Sequence, residues 1–201
     1  MRFLLLACLF LAVTPATAGG PRQFGKAYER VEPSVVMVEA SNGKSVRRGG
    51  GFVASASGLV VCASYTLERA KTYRIHVQGA WHPATLVAVD ETLRVALLKV
   101  TLTEPLKPVA VAKRPQLVEG NWVVAAERGE DGKPSGRAGQ VTSAPPPLPA
   151  GGPQVALVDA PGMAGSPLVN VQGEVVGMSL GRIDERRGRA TPLEPLRAFL
   201  M

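Results

Sequence analysis

Apolar residues in this chain fall in short runs separated by clusters of Gly, Pro, Asn and Asp. Runs of strand length, rich in β-branched residues and bounded by turn formers, predict strands rather than helices. Ser34 to Ala40 (SVVMVEA) is the first. Gly49 to Ser55 and Gly58 to Ala63 predict a hairpin across Ala56-Ser57. Tyr73 to Val77 alternates, and Thr85 to Val89 follows a turn placed at His82-Pro83. Val95 to Val100 (VALLKV) is apolar enough to be buried on both faces. Two stretches read as helical instead: an amphipathic one over Gln23 to Val31, and a closing one over Leu193 to Leu200.

Residues 101–116 carry three prolines and little periodicity, and read as a crossover between two halves. The second half repeats the strand pattern at Asn121 to Ala126, Gly139 to Ser143, Val155 to Val158, Pro167 to Val171 and Glu174 to Leu180. Ala144 to Pro153 is rich in Pro and Gly and reads as a surface loop. Many short strands with few helices predict an all-β barrel or sandwich.

The first 18 residues change the expected compartment. Arg2 supplies a positive start, Phe3 to Val13 an apolar core, and Ala16-Thr17-Ala18 a small-x-small cleavage site. The expectation is a signal peptide over 1–18, a mature start at Gly19, and a periplasmic or secreted protein. Leu5-Leu6-Ala7-Cys8 also resembles a lipobox, but cutting before Cys8 leaves almost no apolar core upstream. No later stretch is long and apolar enough to be a transmembrane helix. Losing Cys8 leaves Cys62 alone, which excludes an internal disulfide; Cys62 reads as a small buried hydrophobe.

Losing Arg2 as well lowers the formal charge from +7 to +6. The basic residues are scattered, and only 5% of residues are aromatic, so nucleic-acid binding is not expected. One cysteine and two separated histidines offer no metal-ligand spacing, and no glycine-rich loop opens a helix. Neither metal nor cofactor is expected.

Several segments carry a more specific pattern. GLVVCASYTLERA (58–70) follows the glycine-rich RRGGGFVASASG; then come DETLRVALLKV (90–100), LVEGNWVVAAERG and GRAGQVTSA. GMAGSPLVNVQGEVVGM (162–178) and RATPLEPLRAFL complete the series. In this order and spacing they resemble the exported HtrA-type branch of the trypsin-like serine proteases, over nearly all of residues 30–200. The resemblance implies two packed six-stranded antiparallel β-barrels with a short N-terminal helix and a C-terminal helix. It divides the chain into an arm over 19–32, a first barrel over 33–100, a crossover over 101–116, a second barrel over 117–189 and a helix over 190–201. It also implies homo-oligomers built through N-terminal residues. Phe24 and Tyr28 would serve, or would instead staple the helix to the first barrel. The PDZ modules usual in this branch are not expected.

The same resemblance marks what has changed. Serine proteolysis needs a hydroxyl nucleophile, an imidazole base and an orienting carboxylate. Tyr65 stands at the base position, Arg94 at the acid and Ala164 at the nucleophile. A phenol is a poor base at neutral pH, and a methyl group is no nucleophile. Tyr65 and Arg94 are expected to pair as phenol and guanidinium. Gly162 and Gly165 would remain from the oxyanion loop, and Met178, Ser179, Leu180, Gly181 and Arg182 would form the edge on which extended peptides align. Both sets are equally what the second barrel needs in order to fold. Ser166 reads as a turn hydroxyl, Asp90 as a turn carboxylate, His76 as exposed on a strand and His82 as a turn residue.

Three functions are therefore expected. The first is a pseudoprotease that binds an extended or unfolded peptide, or a protein partner, in its cleft. The second is an active endopeptidase with a displaced nucleophile such as Ser166. The third is a purely structural or assembly protein.

Overall fold

The computed structural model describes residues 21–114, 117–129, 131–144 and 155–193. The stretches expected to form the signal peptide, most of the Pro/Gly loop and the closing helix beyond Leu193 lie outside them. Helix α1 (Pro21–Val31) leads through a 3-10 turn into the first barrel. That barrel comprises β1 (Val35–Ser41), β2 (Val46–Val53), β3 (Leu59–Ala63), β4 (Thr72–Val77), β5 (Ala80–Asp90) and β6 (Val95–Val100), with one helical turn, α2 (Ser64–Leu67), after β3. The second comprises β7 (Trp122–Arg128), β8 (Pro134–Ser143), β9 (Ala156–Val158), β10 (Pro167–Val169), β11 (Val175–Arg182) and β12 (Gly188–Pro192).

Both sheets close, and every strand pairing within them is antiparallel. Around the first barrel the order is β1-β2-β3-β6-β5-β4; around the second it is β7-β8-β9-β12-β11-β10. The two halves therefore share one topology, and the expected pair of six-stranded barrels is what the chain forms.

Alternation along the strands decides where the cores sit. In β1, Val36, Val38 and Ala40 fill the first barrel, while Val35 faces the other half. In β6, Ala96, Leu98 and Val100 point inward, and Val95 and Leu97 point to the seam. The second barrel packs Val123, Ala125, Val141, Leu168 and Val176 inside. It sends Val124, Ala126, Val169, Val175 and Met178 to the same seam. VALLKV is thus buried on both faces because one face is barrel interior and the other is the junction of the barrels.

Several expectations need correction. The hairpin turn lies at Gln78-Gly79, not His82-Pro83; both turn residues have positive φ, 52° and 78°, as a two-residue hairpin loop requires. Pro83 lies within β5 opposite Arg74. Counting back from the closing pair Val77–Ala80, Arg74–Pro83 is a non-hydrogen-bonded pair, and the ladder to β6 starts only at Ala84, so no N–H is missed. His82 is accordingly a half-buried strand residue. Residues 190–192 belong to β12 rather than to a closing helix. Phe24 packs against Trp122 with ring centroids 5.0 Å apart, and Tyr28 lies against Gly136. They staple α1 to the second barrel, not the first.

Cys62 is fully buried in the first barrel, and burial pushes its thiol pKa up to about 12. In a chain freed of residues 1–18 it is the sole cysteine. We expect no reaction with an aromatic disulfide reagent at pH 8 in the native state, and stoichiometric reaction in denaturant. Fast native labelling would mean that the barrel opens on the time scale of the assay.

Candidate functional site

Three turns meet at the seam. The first is α2, which carries Tyr65. The second is the β5–β6 turn, in which the Asp90 carboxylate accepts the Leu93 N–H at 2.9 Å, the turn role its sequence position suggests. Arg94 closes this turn at φ 58°, a left-handed conformation uncommon for arginine. Its carbonyl accepts the Ser64 N–H at 3.0 Å, which ties the second turn to the first. The third is the loop 162–166, where the Gly50 N–H donates to the Ala164 carbonyl at 2.7 Å, across from one barrel to the other.

The three side chains at positions 65, 94 and 164 have different fates. The Tyr65 hydroxyl reaches over the seam and donates to the Leu180 carbonyl at 3.0 Å. A Cβ built on Gly181 would lie 3.0 Å from that hydroxyl and 3.6 Å from the Ala164 Cβ, so Tyr65 and Ala164 meet over Gly181. Burial raises the Tyr65 pKa, while Arg189 and then Arg94 pull it back; the phenol stays neutral at neutral pH and acts as a donor. The expected stacking of Arg94 on Tyr65 is not formed. The phenol is held by its bond to Leu180, Arg94 is exposed, and the cation–π contact among the described residues is Arg74 over Trp81.

The loop glycines have packing reasons of their own. A Cβ on Gly162 would stand 2.9 Å from the Ala125 Cβ on β7. Gly165 has φ 90°, and a Cβ there would lie 2.1 Å from the Gly50 carbonyl oxygen. Their presence is what the seam requires and carries no argument about ligands.

Of the five residues expected to form a free edge, two have backbone partners on both sides. Met178 is paired on both sides, to Pro167 and to Thr191. The Ser179 N–H donates to the Ser166 carbonyl, and its own carbonyl accepts the Gly165 N–H, each at 2.8 Å. Gly181 and Arg182 pair on one side alone, and Leu180 is skipped by a bulge in the pairing with β12. Within that stretch the Gly181 N–H leans on the Ser179 Oγ at 3.1 Å, and Tyr65 takes one of the two lone pairs of the Leu180 carbonyl.

Neither histidine is near. His76 is half-buried rather than exposed, tilted against Trp81 with centroids 5.1 Å apart and abutting Gly132. The Nε2 of His82 is buried without a partner. Ser166 is fully buried and its Oγ lacks a partner; it is wedged so closely that a Cβ on Gly50 would stand 2.2 Å away.

Two participants were missed in the sequence. Glu127 is buried on β7, accepts the Met163 N–H at 2.5 Å, and lies 3.6 Å from the Arg182 guanidinium. A carboxylate inside an apolar strand run was the available signal. Arg189, directly opposite Gly181 on β12, is one of the scattered basic residues and carries no sequence signal of its own. Among the described residues, no group of three or more His, Cys, Asp or Glu could hold a metal, and no helix is long and apolar enough to cross a membrane.

Residues 49–178 match the model of the trypsin-like peptidase domain. Among curated proteins, the chain is similar to serine protease HTRA2, mitochondrial, of Bos taurus, 29% identical over 188 residues covering 86% of this chain and 41% of that protein. It is similar to serine protease HTRA1A of Danio rerio at 28% over 193 residues, with 86% and 39% covered. Serine protease HTRA4 of Homo sapiens is 26% identical over 192 residues, with 86% and 40% covered. The chain spans about two-fifths of the length of these relatives.

Proposed function

Since this chain belongs to the trypsin-like peptidase domain family, we propose that it is an exported, non-hydrolytic member that works by binding an extended peptide or a partner's loop in the cleft between its barrels. One observation carries the reading. At the point where the three turns converge, the side chains are a methyl group, a neutral phenol and a guanidinium. None is a nucleophile, base or orienting acid at neutral pH. Export rests on the signal-like first 18 residues.

Binding draws support from the edge beside Tyr65. Leu180 to Arg182 keep one side free of strand pairing, and backbone addition there needs no catalytic group. The bond from Tyr65 to Leu180 is single and partly exposed, with Tyr65 at 39% relative accessibility, so an incoming strand can share or displace it.

The rival is an active enzyme using Ser166. The buried, wedged Oγ and the placement of both histidines on β4 and β5 rather than on the three turns weigh against it. The test is turnover of casein and labelling by a fluorophosphonate, on the native chain and on Ser166→Ala. We expect neither turnover nor label in either protein. We also expect Ser166→Ala to melt at the same temperature or higher, because it removes a buried hydroxyl with no hydrogen bond. Turnover that vanishes in Ser166→Ala would establish an enzyme with a rebuilt site.

A further inference from the structure

Binding in the cleft leaves the chemistry of the bound segment open, and any selectivity for that segment rests on the binding reading itself. The free stretch Leu180–Arg182 is bordered by arginines. Arg189 is paired opposite Gly181, and Arg94 closes the turn whose carbonyl holds α2. Both are exposed, and among the described residues no carboxylate lies within ion-pair distance of either. Both lower the Tyr65 pKa that burial raises, Arg189 more than Arg94, and Tyr65 itself bonds to Leu180. Arg47 donates to the Tyr65 carbonyl at 2.9 Å but is itself paired with Glu68.

The nearby carboxylates are already committed. Glu68 pairs with Arg47 at 3.3 Å. Glu91 accepts the Ser64 hydroxyl and Asp90 the Leu93 N–H, each at 2.9 Å; both keep their charge, but neither lies within ion-pair distance of Arg94 or Arg189. Glu127 serves the Met163 N–H and Arg182. Asp159, Asp184 and Glu185 lie around a cavity together with Arg186 and Arg187, where the signs are mixed. Beside Tyr65, Arg94 and Arg189 therefore present guanidiniums with no ion-pair partner among the described residues, next to strand backbone that is paired on one side only.

We infer that the cleft selects an extended acidic polypeptide segment, whose backbone pairs with Leu180–Arg182 and whose carboxylates reach Arg94 and Arg189. Alternate side chains of a strand share one face, so acidic residues at every second position present a row of carboxylates to the two guanidiniums. Charge complementarity of this kind selects partners even where each exposed pair is weak.

The test uses fluorescein-labelled decapeptides alternating Val with Glu, Gln or Lys, titrated by anisotropy against the full mature chain. The Val/Glu peptide should bind about tenfold more tightly than Val/Gln at low salt, with the preference shrinking as salt rises. In Arg94→Gln/Arg189→Gln the ratio of Val/Glu to Val/Gln affinity should fall to about one. Both arginines are exposed, so circular dichroism should show an unchanged fold. Equal binding of the Glu and Gln peptides would overturn the acidic selection and leave the binding reading standing. Absence of binding by all three would overturn both. A single-stranded oligothymidine displacing the Val/Glu peptide at equal charge concentration would show that any polyanion serves, and would likewise overturn the proposal.

Discussion

Replacing Gly165 by alanine is expected to cost the fold about 3 kcal/mol or more, the sum of backbone strain and overpacking at one position. The residue sits at φ 90°, and its new Cβ would lie 2.1 Å from the Gly50 carbonyl oxygen and 3.0 Å from the Ala63 nitrogen. All these contacts are backbone, so no rotamer change relieves them. For a domain of this size the loss corresponds to a fall in melting temperature of roughly 10 °C. Gly43→Ala is the control. It shares a positive φ, 87°, but nothing lies within 4 Å of its Cβ, so only the smaller conformational penalty applies. Thermal denaturation of the two variants side by side separates the effects. If Gly165→Ala melted with Gly43→Ala, the seam would be far softer than its contacts indicate.

The second large effect is a gain of chemistry. Tyr65→His, Arg94→Asp and Ala164→Ser together should give measurable peptide hydrolysis and fluorophosphonate labelling, whereas Ala164→Ser alone should give neither. Residues 65 and 164 already meet over Gly181, and residue 94 is tied to α2 through the Ser64 N–H. Aspartate also suits the left-handed backbone at position 94 better than arginine does. A complete triad contributes about a millionfold in kcat, so even a poorly aligned one should rise above background. A folded but inert triple variant would mean that these positions do not make a site. Labelling of Ala164→Ser alone would mean that something other than residue 65 activates the serine.

Much of the fold was legible because strand alternation is a local signal. SVVMVEA and VALLKV announced burial, and Ala56-Ser57 marked its own hairpin. The errors came where two local signals competed. At 78–83, Pro83 suggested a turn, but its missing N–H falls on an unpaired side of β5, and Gln78-Gly79 supplies the positive φ values instead. The strand at Gly188–Pro192 carries too few apolar residues to stand out, and is defined by its partners β9 and β11. At the site, the sequence named positions 65, 94 and 164 but not how they pack. The bond from Tyr65 to Leu180 spans 115 residues, and no spacing rule reaches that far. The same holds for Glu127 under the 162–166 loop, and for the shortening of the β11 edge by the loop's own backbone.

Apart from the Tyr65 hydroxyl on the Leu180 carbonyl, the contacts that join one half of the molecule to the other around this site run from main chain to main chain. Gly50 N–H meets the Ala164 carbonyl, and Gly165, whose own N–H meets the Ser179 carbonyl, presses against the Gly50 carbonyl. None of them asks what side chain stands at 65, 94 or 164. Those positions are accordingly free to drift: a lineage can lose a reaction there by single substitutions without passing through an unfolded intermediate, and can acquire a different use on the same unaltered frame. The glycines at 50 and 165 enjoy no such freedom, so among descendants of this chain variation should gather on the side chains of the cleft and spare the backbone that holds it open.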